Sequence, residues 1–148
     1  MKSNPSDTEI ILAFRSKGFK ATSQRIVICR NVLGSREHPT AQRIYAKVKK
    51  VHPTVSLATV YKTLGVLGEL NLIQELTLKQ SDTRFDPYVE PHINLICEKC
   101  GRITDIYDRH LKDTIEKTVK RAKFSLSGQR FDLYGICDRC ERESKMTL

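Results

Sequence analysis

The sequence predicts an α+β protein in two parts: a helical first half closed by a short hairpin, then a smaller mixed α/β module. Three observations carry this. Cap residues followed by helix-period apolar stripes recur through the first half, strand-like runs replace them after Asn71, and four of the five cysteines form two Cys-x-x-Cys pairs beyond a proline-rich stretch. The chain has 148 residues, 39% of them apolar and 29% charged, which suits one domain or two small ones and excludes wholesale disorder. No apolar run approaches the roughly 18 residues that span a bilayer. The opening Met1-Lys2-Ser3-Asn4-Pro5-Ser6-Asp7 has no apolar stretch behind its lysine and does not read as a secretory signal. The expectation is a soluble, cytoplasmic protein with no membrane partner.

Ser6 or Asp7 can cap a first helix in which Ile10, Ile11 and Phe14 recur at helical spacing, ending near Gly18. A second helix begins at Thr22 and runs through Ile26, Val27, Cys29 and Leu33 to Gly34. Thr40 caps a third, with Ile44, Val48 and Val51 on one face before Pro53. Ser56 caps a fourth, whose Leu57, Val60, Leu64 and Leu67 make one buried stripe. Leu72 to Leu78 is strand-like, Lys79-Gln80-Ser81-Asp82 supplies a polar turn, and Thr83 to Asp86 returns. Helices followed by a two-stranded hairpin form a winged helix-turn-helix pattern.

Phe85 to Pro91 carries two prolines, which fix φ and lack an amide donor, so this segment reads as a hinge. The expected organisation is a first domain over 1–84, a hinge over 85–92 and a second domain over 93–148. The second holds strands at Ile93 to Ile96 and Ile103 to Tyr107, and a helix from about Asp108 to Lys123. A third strand is expected from Phe124 to Ile136, interrupted around Ser127-Gly128.

The formal charge of +9 is uneven: residues 1–84 carry +8 and residues 85–148 carry +1. A basic helical half beside a neutral one points to an acidic partner for the first, nucleic acid being the usual one. If the stripe of the fourth helix faces inward, Ser56, Ala58, Thr59, Tyr61, Lys62 and Thr63 face outward or sideways. Small, hydroxylated and basic side chains suit a major groove, with Tyr61 for a base or sugar and Lys62 for phosphate. The residues expected to contact DNA are Arg25, Ser56, Ala58, Thr59, Tyr61 and Lys62.

Cys97-Glu98-Lys99-Cys100 and Cys137-Asp138-Arg139-Cys140 each sit at a strand end. Two thiolates two residues apart can bite one tetrahedral Zn²⁺, and two such pairs close its shell, leaving no open position for chemistry. Thirty-six residues separate Cys100 from Cys137, so the metal would tie the module's first strand to its end. Stable disulfides do not suit an intracellular chain, and no βαβ pattern surrounds either pair, which disfavours a thioredoxin-like motif. Cys29, among Ile26, Val27, Val32 and Leu33, reads as a small buried apolar residue.

Six stretches together carry a family resemblance: Thr22-Ser23-Gln24-Arg25, His38-Pro39-Thr40-Ala41, Ser56 to Leu64, Arg84-Phe85-Asp86, His92 to Gly101 and Tyr134 to Cys140. In this order, over nearly the whole chain, they resemble the ferric uptake regulator (Fur) family of metal-responsive transcription factors. The resemblance implies a winged-helix DNA-binding domain, a C-terminal dimerisation domain with a structural Cys₄ zinc, and a second, regulatory metal at the hinge. By position the regulatory ligands are His38, Asp86, His92, the residue at 94, and Asp105. Two imidazoles and two carboxylates suit Fe²⁺, Mn²⁺ or Zn²⁺. Position 94, usually histidine in the family, is Asn94, whose amide oxygen is a poorer ligand for late transition metals. A further site found in many relatives would fall at Pro91, Ile93, Lys112 and Gln129, which cannot supply it, so two metals per chain are expected. His52 and His110 match no ligand position.

Aspartates at 86 and 105, where iron sensors tend to carry glutamate, resemble the peroxide-sensing, PerR-like branch. In that branch bound Fe²⁺ reacts with peroxide and oxidises a histidine ligand; those histidines fall at His38 and His92. The function implied is a homodimeric, metal-dependent repressor of palindromic promoter DNA that senses peroxide. The alternative is an iron-, zinc- or manganese-sensing repressor (Fur-, Zur- or Mur-like) without peroxide chemistry. An enzyme would need an open site beside a general base, and no nucleophile-and-base pattern or small-molecule substrate site is read. A zinc-ribbon adaptor would concentrate positive charge on the cysteine module, and the charge lies in the other half.

Overall fold

The computed structural model describes residues 4–78 and 82–146, so most of the expected Lys79-Gln80-Ser81-Asp82 turn and the first three residues lie outside the described residues. The chain divides into two units, Met1–Val89 and Glu90–Leu148.

Four helices build the first unit: α1 (Asp7–Ser16), α2 (Ser23–Leu33), α3 (Ala41–Lys49) and α4 (Leu57–Glu69). Each begins immediately after a hydroxyl residue, Ser6, Thr22, Thr40 or Ser56, whose side chain accepts the amide N–H three residues on. These caps satisfy donors that have no partner inside the helix. At α1 the arrangement is reciprocal, because the Glu9 carboxylate also accepts the Ser6 amide at 2.7 Å. The helices bury one core: Ile10 and Phe14 from α1, Ile28, Cys29 and Val32 from α2, Ile44 and Val48 from α3, and Val60, Leu64 and Leu67 from α4. A two-stranded antiparallel hairpin follows, β1 (Gln74–Leu76) and β2 (Arg84–Asp86), with Gln74 opposite Asp86. β2 also reaches back to the segment before α3: the Phe85 amide donates to the Pro39 carbonyl at 3.0 Å, and Thr40 bridges Arg84.

Three expectations about this unit change. Val51 is 66% exposed rather than on the buried face of the third helix, because α3 stops at Lys49 and the helical repeat no longer sets its direction. Thr63 is fully buried rather than turned outward. Its hydroxyl donates to the Thr59 carbonyl at 2.7 Å, so it enters the core without an unpaired polar atom. The strand expected over Leu72 to Leu78 pairs only over Gln74–Leu76, while Ile73 and Leu78 are buried outside it.

The second unit contains β3 (Ile93–Cys97), β4 (Ile103–Ile106), α5 (Arg109–Arg121), β5 (Phe131–Gly135) and α6 (Asp138–Met146). Its sheet has the order β4-β3-β5, β3 being antiparallel to β4 and parallel to β5. Register places Asn94 opposite Asp105 on one side and Asp132 on the other. The expected long third strand is confined to Phe131–Gly135, with Phe124 and Leu126 exposed ahead of it; the intervening Ser125, Ser127, Gly128 and Gln129 are poor strand formers. The second strand likewise ends at Ile106, leaving Tyr107 exposed. The sequence reading did not anticipate α6. That helix has no apolar stripe to announce it and instead carries i,i+4 ion pairs: Arg142 with Asp138, Arg139 with Glu143, and Lys145 with Glu141. Among the described residues no helix is long and apolar enough to cross a membrane.

The core assignment of α4 is testable. Leu64→Ala should cost about 2–5 kcal/mol and lower the melting temperature of the first unit; a loss well under about 1 kcal/mol, the range of surface substitutions, would remove Leu64 from the core.

Candidate metal centres and nucleic-acid face

The second unit brings all four predicted zinc cysteines together. Cys97 ends β3, and the chain then turns through Gly101, whose φ of 69° is one that glycine adopts without strain. That turn returns Cys100 toward Cys97, closed by the Gly101 amide on the Cys97 carbonyl at 2.9 Å. The parallel pairing puts Gly135 beside Cys97, so Cys137 arrives two residues later and Cys140 follows in the first turn of α6. The four Sγ atoms lie within 4.8 Å of one another, and Cys100 and Cys137 are 3.8 Å apart. Four sulfurs about 2.3 Å from one Zn²⁺ stand roughly 3.8 Å apart along a tetrahedral edge, so the donor set fits a closed structural zinc.

Hydrogen bonds prepare these thiols. The Cys137 amide, 3.3 Å from Cys97 Sγ, is the largest cause holding Cys97 down at about 6. Cys137 is also lowered, first by the Cys140 amide and further by the Arg102 guanidinium, whose Nη2 lies 3.2 Å from its sulfur. Burial pushes Cys140 up to about 12, so this thiol loses its proton only when a cation offsets the cost of a buried charge. Cys29 is likewise pushed to about 12 by burial, and it stands in the first unit's apolar core.

Among the described residues the cysteines are the one group of three or more His, Cys, Asp or Glu donors gathered this closely. The predicted regulatory donors are assembled in smaller sets within each unit. In the first, His38 and Asp86 are both buried, with Nε2 and Oδ1 3.7 Å apart. The β2 contacts with Pro39 and Thr40 bring them to this distance. His38 has a φ of 47°, a left-handed backbone that costs a non-glycine residue about 1 kcal/mol or more. The Arg84 guanidinium on the His38 carbonyl, at 3.4 Å, helps hold it. Asp86 Oδ1 also accepts the Tyr88 amide at 2.8 Å.

In the second unit His92 is buried, with Nδ1 2.8 Å from the Glu90 carbonyl oxygen and Nε2 3.1 Å from Asn94 Oδ1. Tyr107 lies beside it, ring centroids 5.5 Å apart, and donates its hydroxyl to Asp105 Oδ2 at 3.4 Å. Asn94 is buried, and its Nδ2 donates to Asp132 Oδ1 at 3.0 Å. Sequence reasoning passed over Asp132; an acid among the apolar residues of Phe131-Asp132-Leu133 was the available signal. His52 is half-buried, and His110 is exposed in the first turn of α5.

On α4, Ala58, Tyr61 and Lys62 are exposed and Thr59 is half-buried. The Ser56 hydroxyl is engaged in capping, 3.1 Å from the Thr59 amide and 2.9 Å from its hydroxyl. Tyr61 accepts from Gln42 Nε2 at 3.3 Å, linking α3 to α4. Arg25 is half-buried and donates Nη1 to the Lys20 carbonyl at 2.7 Å.

A thiol count separates the five cysteines. In zinc-loaded native protein a thiol reagent should find almost nothing, chelation should release four reactive thiols, and Cys29 should react only in denaturant. A Cys29 that reacts in the native state would contradict its burial, and Cys137→Ser that still retains stoichiometric zinc would contradict the four-sulfur site.

The sequence profile of the ferric uptake regulator family matches residues 16–134. The chain is 35% identical to the peroxide-responsive repressor PerR of Staphylococcus epidermidis over 135 residues, which are 91% of this chain and 90% of that protein. It is 34% identical to the PerR of Staphylococcus aureus strain Mu50 over 133 residues, 90% of each. Among solved structures, the Campylobacter jejuni peroxide stress regulator superimposes with a TM-score of 0.71 at 33% identity, over 89% of this chain and 99% of that one. The Helicobacter pylori ferric uptake regulator Fur superimposes with a TM-score of 0.76 at 22% identity, over 95% and 97%, which speaks to the fold alone. With the profile spanning most of the chain and relatives aligned over nine-tenths of their length, this protein belongs to the ferric uptake regulator family.

Proposed function

We propose that the protein is a cytoplasmic, metal-dependent transcriptional repressor that binds palindromic promoter DNA as a homodimer and senses peroxide through its regulatory metal. The observation that carries this reading is the family match together with the buried His38–Asp86 pair, an imidazole and a carboxylate 3.7 Å apart. The exposed residues of α4 in a unit of strongly positive charge support DNA binding, with Arg25, Ser56, Ala58, Thr59, Tyr61 and Lys62 as the contact set. The association half of the proposal draws on the second unit's uncovered apolar residues, among them Phe124, Leu133 and Ile136, each more than half exposed.

Fe²⁺ or Mn²⁺, with Zn²⁺ also suited, would be held by His38, Asp86, His92 and Asp105, with Asn94 offering a poorer oxygen donor where the family usually has histidine. An ion sharing donors from both units would favour one arrangement of them over others and shift the population toward it. Fe²⁺ bound there would supply the redox chemistry by which hydrogen peroxide oxidises a neighbouring imidazole. Relatives named as peroxide-responsive repressors support this over plain metal sensing. Asn94, standing where the family usually has histidine, is the observation that favours metal sensing without peroxide chemistry.

Two measurements test this. Titration of palindromic promoter DNA should give at least about tenfold tighter binding with Mn²⁺ present, a coupling of about 1.4 kcal/mol, and affinity indifferent to metal would sink the repressor reading. Iron-loaded protein treated with peroxide should gain oxygen at His38 or His92 by mass spectrometry and release its DNA. If neither histidine is modified and DNA stays bound, the sensor reads metal alone.

A further inference from the structure

The register of the second unit's sheet sets Asp105, Asn94 and Asp132 side by side across β4, β3 and β5, so their side chains leave the same face. His92 lies two residues before Asn94 and shares that face. The Asn94 amide has two unlike ends. Its oxygen can give a lone pair to a cation, whereas its nitrogen can only donate hydrogen bonds. Whether Asn94 can be a ligand therefore depends on which end faces His92.

Asp132 decides this. A carboxylate accepts hydrogen bonds, so the group 3.0 Å from Asp132 Oδ1 is the amide nitrogen, and Oδ1 of Asn94 is left facing His92 Nε2 at 3.1 Å. Asp132 is itself fixed. Its Oδ2 receives Arg130 Nε at 2.9 Å and the Tyr134 hydroxyl at 3.2 Å, and its side chain is 9% exposed. Two donors at right angles, each about 2.1 Å from one ion, stand roughly 3.0 Å apart, which is the His92–Asn94 separation.

We propose that Asp132 is a positioning residue of the regulatory site: its carboxylate locks the Asn94 amide with oxygen toward His92 and so makes Asn94 a metal ligand in this chain. This rests on the reading of His92 as a regulatory ligand. A partner that orients a ligand from behind typically changes metal affinity by 10–100-fold when removed.

The test is a double-mutant cycle on full-length, zinc-loaded protein with Mn²⁺ as the probe. Asp132→Ala should weaken Mn²⁺ binding about tenfold or more, within the range for such partners. Asn94→Ala should weaken it at least as much, and the double variant should be no worse than Asn94→Ala alone. With Co²⁺ in the same site, Asp132→Ala and Asn94→Ala should give the same altered visible spectrum, since both lose the same oxygen ligand. Zinc content and melting temperature report folding, and Asp132→Val, which favours the strand, replaces the alanine variant if that one loses its zinc. An equal loss from Asp132→Ala in the Asn94→Ala background would mean that Asp132 acts only through its charge, and would overturn the proposal. So would unchanged Mn²⁺ affinity in both Asp132 variants while His92→Ala abolishes binding. If His92→Ala itself binds Mn²⁺ as tightly as the unaltered protein, the regulatory-site reading fails, and the positioning role with it.

Discussion

Four thiols lie within 4.8 Å of one another in the second unit, close enough to share one ion. Among its described residues the buried apolar side chains are Ile96 and two of the cysteines themselves, and α5 buries none. A domain of this size with so thin a core would gain folding free energy from a metal directly, since the site does not exist in the unfolded chain. The geometry matters as much as the energy. A metal joining Cys97 and Cys100 to Cys137 and Cys140 would clamp the end of β3 to the end of β5 in the parallel register observed, Cys97 beside Gly135. That same register carries Asp132 to Asn94, and Asn94 in turn meets His92. The polar row and the four thiols thus share one strand register, a few residues apart along the same strands.

The first unit reaches its order by different means. Hydroxyl caps start each helix, and a single apolar core holds all four, so the polar face of α4 remains available. An unusual feature lies where β2 pairs with the segment ahead of α3. That contact holds His38 in a left-handed backbone and lays the buried Asp86 carboxylate against its ring. The buried carboxylate is compensated there by the Tyr88 amide and the neighbouring His38 ring, since a buried charge without partners is expensive.

Cysteine is used in two opposed ways. Amide and guanidinium donors around Cys97 and Cys137 favour thiolates, whereas the apolar surroundings of Cys29 disfavour one. Hydrogen-bond donors thus separate Cys97 and Cys137 from Cys29, whereas Cys140, raised by burial as Cys29 is, is set apart by the three sulfurs beside it.

The amino-acid sequence by itself determined the helices of the first unit, the zinc cysteines and the family, because these are local or motif-bound properties. A hydroxyl before an apolar stripe is a helix start wherever it occurs, and paired Cys-x-x-Cys motifs need only a fold that lets them meet. Leu57, Val60, Leu64 and Leu67 could be placed on one face from spacing alone, whereas Thr63 could not, since its burial depends on a hydroxyl bonding back to Thr59. Helix α6 escaped because ion pairs, not apolar periodicity, mark it. The parallel β3–β5 register, the reach of β2 back to Pro39 and the orientation of the Asn94 amide were decided only by tertiary structure. Each joins residues tens of positions apart, and no spacing rule within a strand says which distant strand will lie beside it.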